Sequence, residues 1–150
     1  MKTILSVLLL LAATCQAESV CEPQTLHILT QTGDTHTFQT EVACTMEKRV
    51  QGLKFRAYMP PQTGMLFPSD TPRQFVMWMK DTPLPLDMLF IDRQGVIRQI
   101  SHGEPKSEAL IYGPKDSCAV LELKAGEADN LRITVGDRVS EDIFCLDKNE

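Results

Sequence analysis

The feature of this sequence that most constrains its fold is a series of about eight short strand-like runs separated by turn signals. Polar and apolar residues alternate within the runs, and Gly, Pro or Asp marks the turns, as at Gly33-Asp34 and Gly136-Asp137. Only residues 45–55 and 124–131 have the spacing of short helices. The pattern predicts a mainly β protein, either a compact antiparallel β-sandwich or a partly open barrel, with one or two short helices.

The stretch from Phe75 to Asp92 combines strand-like and turn-like signals. It contains the only tryptophan and three of the seven methionines. Residues 73–80 are predicted to form a central strand, because both alternating faces of this run are largely apolar. Pro83 and Pro85 then define a stiff turn, and residues 88–91 resume a strand.

The first 17 residues have the layout of a secretory signal peptide. Lys2 gives a positive start, a short apolar run follows, and Ala17 is a small residue at a plausible cleavage position. Residues 18–150 would then form a single β-rich domain that is exported to the periplasm or the extracellular space. The alternative is lipidation of Cys15, although Thr14 precedes it where a smaller residue is expected.

Four cysteines remain after cleavage at this position: Cys21, Cys44, Cys118 and Cys145. An oxidising compartment favours two disulfides, and four cysteines allow three connectivities. We favour Cys21–Cys145 with Cys44–Cys118, because Cys21 and Cys145 lie near the two chain ends, and chain ends are often close in space.

Charge and composition limit which kinds of molecule this protein could bind. The net charge of −5 argues against nucleic acid or an anionic membrane surface as the main partner. The N-terminal apolar run is too short to span a bilayer, which needs about 20 residues. No Cys-x-x-Cys pair or histidine spacing indicates a metal site, so we expect no cofactor. We expect a monomer that binds a small polar molecule or an envelope protein.

Several segments, taken in order, carry a resemblance to a known family. They are Gly52-Leu53-Lys54-Phe55-Arg56, Gly64-Met65-Leu66-Phe67, Met77-Trp78-Met79-Lys80-Asp81-Thr82, Pro85-Leu86-Asp87-Met88-Leu89-Phe90-Ile91-Asp92, Val120-Leu121-Glu122-Leu123 with Ala125-Gly126, and Gly136-Asp137. With these segments the chain resembles the prokaryotic, often exported family catalogued as domain of unknown function 192. The resemblance covers about residues 25–140 and implies a small, mostly antiparallel β-fold without an established activity. Two positions depart from the family pattern: Lys54 stands where Met is usual, and Asp81 stands where Asn is usual.

Polar residues around the proline turn form the candidate site. Lys80, Asp81 and Asp87 fall on one turn, and Arg56 follows a helix that could pack beside it. A Lys/Arg pair facing two carboxylates could orient an anionic or sugar-like ligand, and Trp78 could stack on a sugar ring. The competing interpretation is a structural ion-pair network, with Trp78 as a half-buried core anchor. We predict a non-enzymatic module that binds a small polar ligand or a protein partner at the 80–87 turn, with no catalytic residues.

Three other functions stay open at this point. Asp81 and Asp87 could act as paired carboxylates of an envelope glycan hydrolase or transferase. The chain could also be a purely structural envelope protein. A methionine-rich Cu(I) site is the third possibility, although Met is more often a flexible core filler. Its ligands would come from residues Met59, Met65, Met77, Met79, Met88 and His102.

Overall fold

The computed structural model describes residues 21–140, which form nine β-strands and two short helices. The elements in chain order are β1 Gln24–Leu29, β2 Thr35–Val42, α1 Met46–Gln51, β3 Thr63–Arg73, β4 Val76–Met77, β5 Leu86–Asp92, β6 Ile97–Gly103, β7 Ile111–Tyr112, β8 Ser117–Lys124, α2 Glu127–Asn130 and β9 Arg138–Val139. No helix within this part of the chain is both long and apolar enough to cross a membrane. The predicted signal peptide at residues 1–17, which includes Cys15, and Cys145 lie outside it.

Seven strands form one curled sheet in the order β6-β5-β8-β3-β2-β1-β9, and β4 pairs with β7 in a small second sheet. The sheet curls until its edges approach each other. β9 pairs with β1, while Arg138 also bridges to Val96, just before β6. The backbone N–H of Ile97 donates to the carbonyl of Asp137 at 2.9 Å. The predicted mainly β fold is therefore confirmed, in its partly open barrel form.

One strand pair departs from antiparallel pairing, because β2 and β3 run parallel. A parallel pair needs a crossover connection, and α1 lies within it. The helix begins at Thr45, whose side chain accepts a hydrogen bond from the N–H of Lys48 at 3.1 Å. It ends at Gly52, which has a φ of 48° that favours glycine. None of the residues of α1 is fully buried, and Arg49 is half-buried.

Two core clusters lie on opposite faces of the sheet. The first cluster contains Leu26, Ile28, Phe38, Leu66, Leu89, Ile91, Leu121 and Leu123. The second cluster contains Leu53, Met59, Met65, Phe67, Phe75, Met79, Met88, Phe90 and Val120. Strand alternation explains the division, since Leu121 and Leu123 of β8 face one cluster and Val120 faces the other. All seven residues of β5 are buried, as expected for a strand covered on both faces.

The prediction that residues 73–80 form a central strand is wrong. β3 continues to Arg73, and only Val76 and Met77 of the remaining residues form a strand, in the small sheet. The alternation itself is present, because Phe75 and Met79 are buried whereas Val76 and Trp78 are 47% and 45% exposed. The outward apolar residues Val76 and Trp78 are therefore partly exposed to solvent and are not covered by a second layer.

The predicted disulfide pairing is also wrong. Cys21 is bonded to Cys44, with a Cα–Cα distance of 5.4 Å. The cause is the antiparallel β1–β2 pair, in which Gln24 lies opposite Thr40. A residue just before β1 therefore meets a residue just after β2. Cys118 is disulfide-bonded as well, and Cys145 lies outside residues 21–140.

Candidate functional site

Asp87 does not belong to the polar turn on which it was predicted. Its side chain is fully buried on the face of the first cluster. Nδ1 of His102 donates to Oδ1 at 2.8 Å, and the backbone N–H of Ala128 donates to Oδ2 at 3.1 Å. Since Gly126, at the start of α2, has no side chain to cap that helix, the carboxylate of Asp87 takes this role from another strand. Asp87 is thereby committed to two structural contacts.

Arg56 and Asp81 do not meet Asp87 either. Arg56 forms a forked pair with Glu41, at 2.5 and 3.1 Å, and this hydrogen-bonded ion pair lowers the pKa of Glu41. Asp81 is exposed and has a φ of 59°, a conformation that Asn and Asp tolerate better than most residues. Its carbonyl accepts a hydrogen bond from the N–H of Phe55 at 2.8 Å. Asp81 therefore suits the backbone conformation of this turn.

Trp78 and Lys80, in contrast, do lie together, and Lys54 joins them. The ammonium of Lys80 lies 5.4 Å from the centroid of the Trp78 ring, and that of Lys54 lies 5.7 Å from it. Both distances allow cation–π attraction, which is strongest for tryptophan. Lys80 also approaches Glu108 at 3.8 Å, a partly exposed pair that contributes little. Lys54, one of the two departures from the family pattern, is thus part of this cluster.

These side chains line a cleft of about 150 Å³, which we call the Trp78 cleft. Its walls are α1 with the turn that follows it, the end of β3, and the segment from Phe75 to Thr82. Its charged and aromatic lining residues are Arg49, Lys54, Phe67, Arg73, Phe75, Trp78, Lys80 and Glu122. By the volume of liquid water, the cleft has room for about five water molecules.

The two arginines are held by different contacts within this wall. Arg49 donates to the carbonyl of Pro68, and the guanidinium of Arg73 lies 4.6 Å from the centroid of the Phe75 ring. Burial lowers the pKa of Arg49, the positive charge of Arg73 lowers it further, and the negative charge of Asp70 acts in the opposite direction. Like charges therefore lie close together in a partly desolvated wall, an arrangement that a bound anion would stabilise.

Glu122 of β8 forms the floor of the cleft. It lies opposite Met65 and Met88 in the sheet, on the face of the second cluster, and is 4% exposed. Its carboxyl has no hydrogen-bond partner within residues 21–140. Burial raises the pKa of Glu122 to about 8, so the carboxyl is mostly protonated at neutral pH.

Sequence reasoning missed Glu122, Arg49 and Arg73 as site residues. A signal for Glu122 was present, because this carboxylic acid interrupts an otherwise apolar run from Cys118 to Leu123. In a strand buried on both faces, such a residue must lie inside the protein. No comparable local signal existed for the two arginines, which reach the cleft only through folding.

The methionines proposed as copper ligands are mostly core residues. Met59, Met65, Met79 and Met88 are buried in the second cluster, and Met77 packs against it. The imidazole of His102 is engaged with Asp87. Packing thus accounts for these thioethers as core fillers.

Comparison with known proteins identifies the family. The family model of domain of unknown function 192, described as an uncharacterized ACR, matches residues 27–141. A crystal structure of a proposed transcription regulator from Sinorhizobium meliloti is 42% identical, with a TM-score of 0.77, over 79% of this chain and 93% of that chain. A crystal structure of a protein of unknown function from Novosphingobium aromaticivorans is 27% identical, with a TM-score of 0.74, over 87% of this chain and 100% of that chain. No curated protein matches the chain. The protein therefore belongs to the domain of unknown function 192 family.

Proposed function

We propose that this protein is an exported, non-enzymatic binding protein for a small anion, and that the anion binds in the Trp78 cleft. The observation that carries the proposal is the convergence of four cationic side chains on one small cleft: Arg49, Lys54, Arg73 and Lys80. The whole chain has a net charge of −5, so this local excess of positive charge opposes the overall charge of the protein. A concentration of one sign of charge in a cleft attracts ligands of the opposite sign.

Trp78 supports anion binding by positioning two of these cations. Both lysine ammonium groups lie within 5.7 Å of the centroid of its ring. An isolated surface lysine loses side-chain entropy when it binds a ligand, whereas a lysine already held over an aromatic ring loses less. The side chain of Lys80 remains 42% exposed, so a ligand can reach it from solvent.

The size of the cleft favours a small molecule over a protein segment or a nucleic acid. Sites for drug-sized ligands enclose roughly 300–1,000 Å³, about two to seven times the volume of the Trp78 cleft itself. A second cavity of about 520 Å³ adjoins the cleft and shares Arg49, Lys54, Arg73 and Trp78 with it. The net charge of −5 and the small volume of the cleft do not favour binding of a DNA duplex.

The position of Asp87 argues against the glycan hydrolase and transferase alternative. That mechanism needs two carboxyl groups that flank the bond to be broken, and Asp87 is buried with both of its oxygens engaged. Glu122 is the only acidic residue that lines the Trp78 cleft within the described part of the chain. Binding without catalysis is therefore the function that we propose.

Isothermal titration calorimetry with acetate, phosphate and sulfate as probes tests the proposal. We expect a dissociation constant of about 1 mM or tighter for at least one probe, weakening as salt rises. Lys54→Gln and Lys80→Gln are each expected to weaken binding about tenfold, the effect of losing one charge-assisted hydrogen bond. Lys115→Gln is the matched control, because Lys115 is exposed and lies outside the cleft.

Two results would overturn the proposal. The first is the absence of binding by all three anions at concentrations up to about ten times the expected dissociation constant. The second is equal affinity of the wild type and both cleft variants, because binding would then occur elsewhere. Tryptophan fluorescence is an independent measurement of binding, because Trp78 is the single tryptophan of the chain. An anion that draws the lysine ammonium groups away from the Trp78 ring should change the fluorescence of that ring.

A further inference from the structure

Glu122 is a buried polar group for which the fold provides no partner. The residue is only 4% exposed but lines the Trp78 cleft, so its carboxyl is open to a partner that enters the cleft. The cleft that Glu122 lines also has apolar lining residues, among them Leu53, Phe67 and Phe75. It also sits on the face of β8 that packs on the second cluster. Nothing in this packing needs a carboxyl, because Val120 fills the same face with an apolar side chain.

Four cationic side chains line the cleft together with Glu122, and all four are more exposed to solvent than Glu122. Arg49 and Lys54 come from α1 and the turn after it, Arg73 from the end of β3, and Lys80 from the segment after β4. β5 contributes the uncharged Met88 opposite Glu122. Burial is the cause of the raised pKa of Glu122. The floor of the cleft therefore presents a neutral carboxylic acid, which can donate a hydrogen bond, while its rim is positively charged.

We infer, resting on the anion binding proposed above, that protonated Glu122 donates a hydrogen bond to an uncharged oxygen of the ligand. The ligand class is then a small anion that carries, besides its charged group, a second and neutral oxygen acceptor such as a keto or hydroxyl group. The charged group stays at the rim with the four cations, and the neutral oxygen points to the floor. Binding holds the proton on Glu122, because the hydrogen bond exists only in the protonated form.

An alternative ligand with a positively charged inner end fits less well. An ammonium group would have to pass the ring of cations at the rim before it could take the proton's place on Glu122. A ligand of that type would release a proton on binding at neutral pH, whereas the proposed ligand class would not. The direction of proton exchange therefore distinguishes the two.

The test compares two pairs of monoanions of similar shape by isothermal titration calorimetry. Pyruvate is paired with isobutyrate and glycolate with propionate, so that each pair differs in the neutral oxygen and not in charge. At pH 7 we expect pyruvate or glycolate to bind about fivefold more tightly than its partner, the contribution of one hydrogen bond. Between pH 7 and pH 9 the protonated fraction of Glu122 falls from about nine-tenths to about one-tenth. The tighter binding of pyruvate and glycolate should therefore disappear at pH 9. Isobutyrate and propionate serve as controls, because every other titrating group affects the affinity of both members of a pair equally.

Two variants connect the effect to Glu122. Glu122→Gln keeps a hydrogen-bond donor that does not titrate, so it should retain the advantage of the keto or hydroxy acid at both pH values. Glu122→Leu removes the donor and should bind both members of each pair equally. Circular dichroism confirms that each variant is folded.

The possible negative results distinguish a failure of the inference about Glu122 from a failure of the proposed anion binding. Equal affinities within both pairs at pH 7, with isobutyrate binding still weakened by Lys80→Gln, would overturn the inference and leave the anion site intact. The inference would also be overturned if Glu122→Leu still bound pyruvate or glycolate more tightly than its partner. The same holds if this preference still fell between pH 7 and pH 9 in Glu122→Gln. If none of the four carboxylates binds, both the inference and the proposed function fail.

Discussion

Replacing Glu122 by glutamine is expected to change how the stability of the protein depends on pH. Burial raises the pKa of Glu122 from its ordinary value of 4.5 to about 8 in the folded state. Between these two values the folded protein keeps a proton that the unfolded chain has released. Because the folded state then binds more protons than the unfolded state, the free energy of unfolding falls as pH rises through this window.

The size of the effect follows from the two pKa values. Proton linkage gives a loss of about 2.5 kcal/mol in the free energy of unfolding between pH 5 and pH 7, and a limit of about 5 kcal/mol well above pH 8. Glutamine has nearly the same shape and does not titrate. The stability of Glu122→Gln relative to the wild type should therefore rise by about 2.5 kcal/mol from pH 5 to pH 7.

Urea denaturation of both proteins at half-unit pH steps measures this difference, since all other titrating groups contribute equally and cancel. Glu41→Gln is the matched control, because the ion pair with Arg56 lowers the pKa of Glu41. A lowered pKa stabilises the fold above about pH 4.5, so this control should lose stability relative to the wild type at neutral pH. Parallel stability curves for the wild type and Glu122→Gln would refute the assignment of Glu122 as a buried, protonated acid.

Further predictions concern the scaffold. Cys44→Ser opens the bond to Cys21 and should lower the free energy of unfolding by about 3 kcal/mol in urea without reductant; an unchanged midpoint would contradict this pairing. Asp87→Ala removes a buried carboxylate with two hydrogen bonds and should cost about 2–4 kcal/mol by thermal melting, and a loss below about 1 kcal/mol would argue against its structural role. In Gly113→Ala the new Cβ would lie 2.2 Å from Cδ1 of Phe90, so we expect a loss of about 1–3 kcal/mol. Wild-type stability in this variant would mean that the ring can move aside.

The sequence contained more information about the disulfide than the prediction used. The Gly33-Asp34 turn between two strand-like runs indicates a hairpin, and the antiparallel register of a hairpin places a residue before β1 beside a residue after β2. The proximity of chain ends is a weaker statistical tendency than this direct geometric constraint. Cys21 and Cys44 could therefore have been paired from the hairpin alone.

The candidate site was predicted only in part, because neighbours in sequence need not share a face of the sheet. Trp78 and Lys80 were identified, and both line the cleft. Asp87 lies a few residues further on, but its strand alternation directs it to the first cluster and to His102. Arg56 was expected at the same turn and instead pairs with Glu41.

Local pattern by itself determined the class of this fold, the position of most strands and the membership of the family. These features depend on a two-residue alternation, on turn residues and on short ordered motifs, all of which act over a few neighbouring positions. Only the tertiary structure decided where the cations meet and what surrounds Glu122. The register of β8 against β3 and β5 places this residue below Lys54 and Lys80, which lie about 70 and 40 positions earlier in the chain. Its raised pKa is a consequence of burial among those strands, and burial is a property of the folded chain.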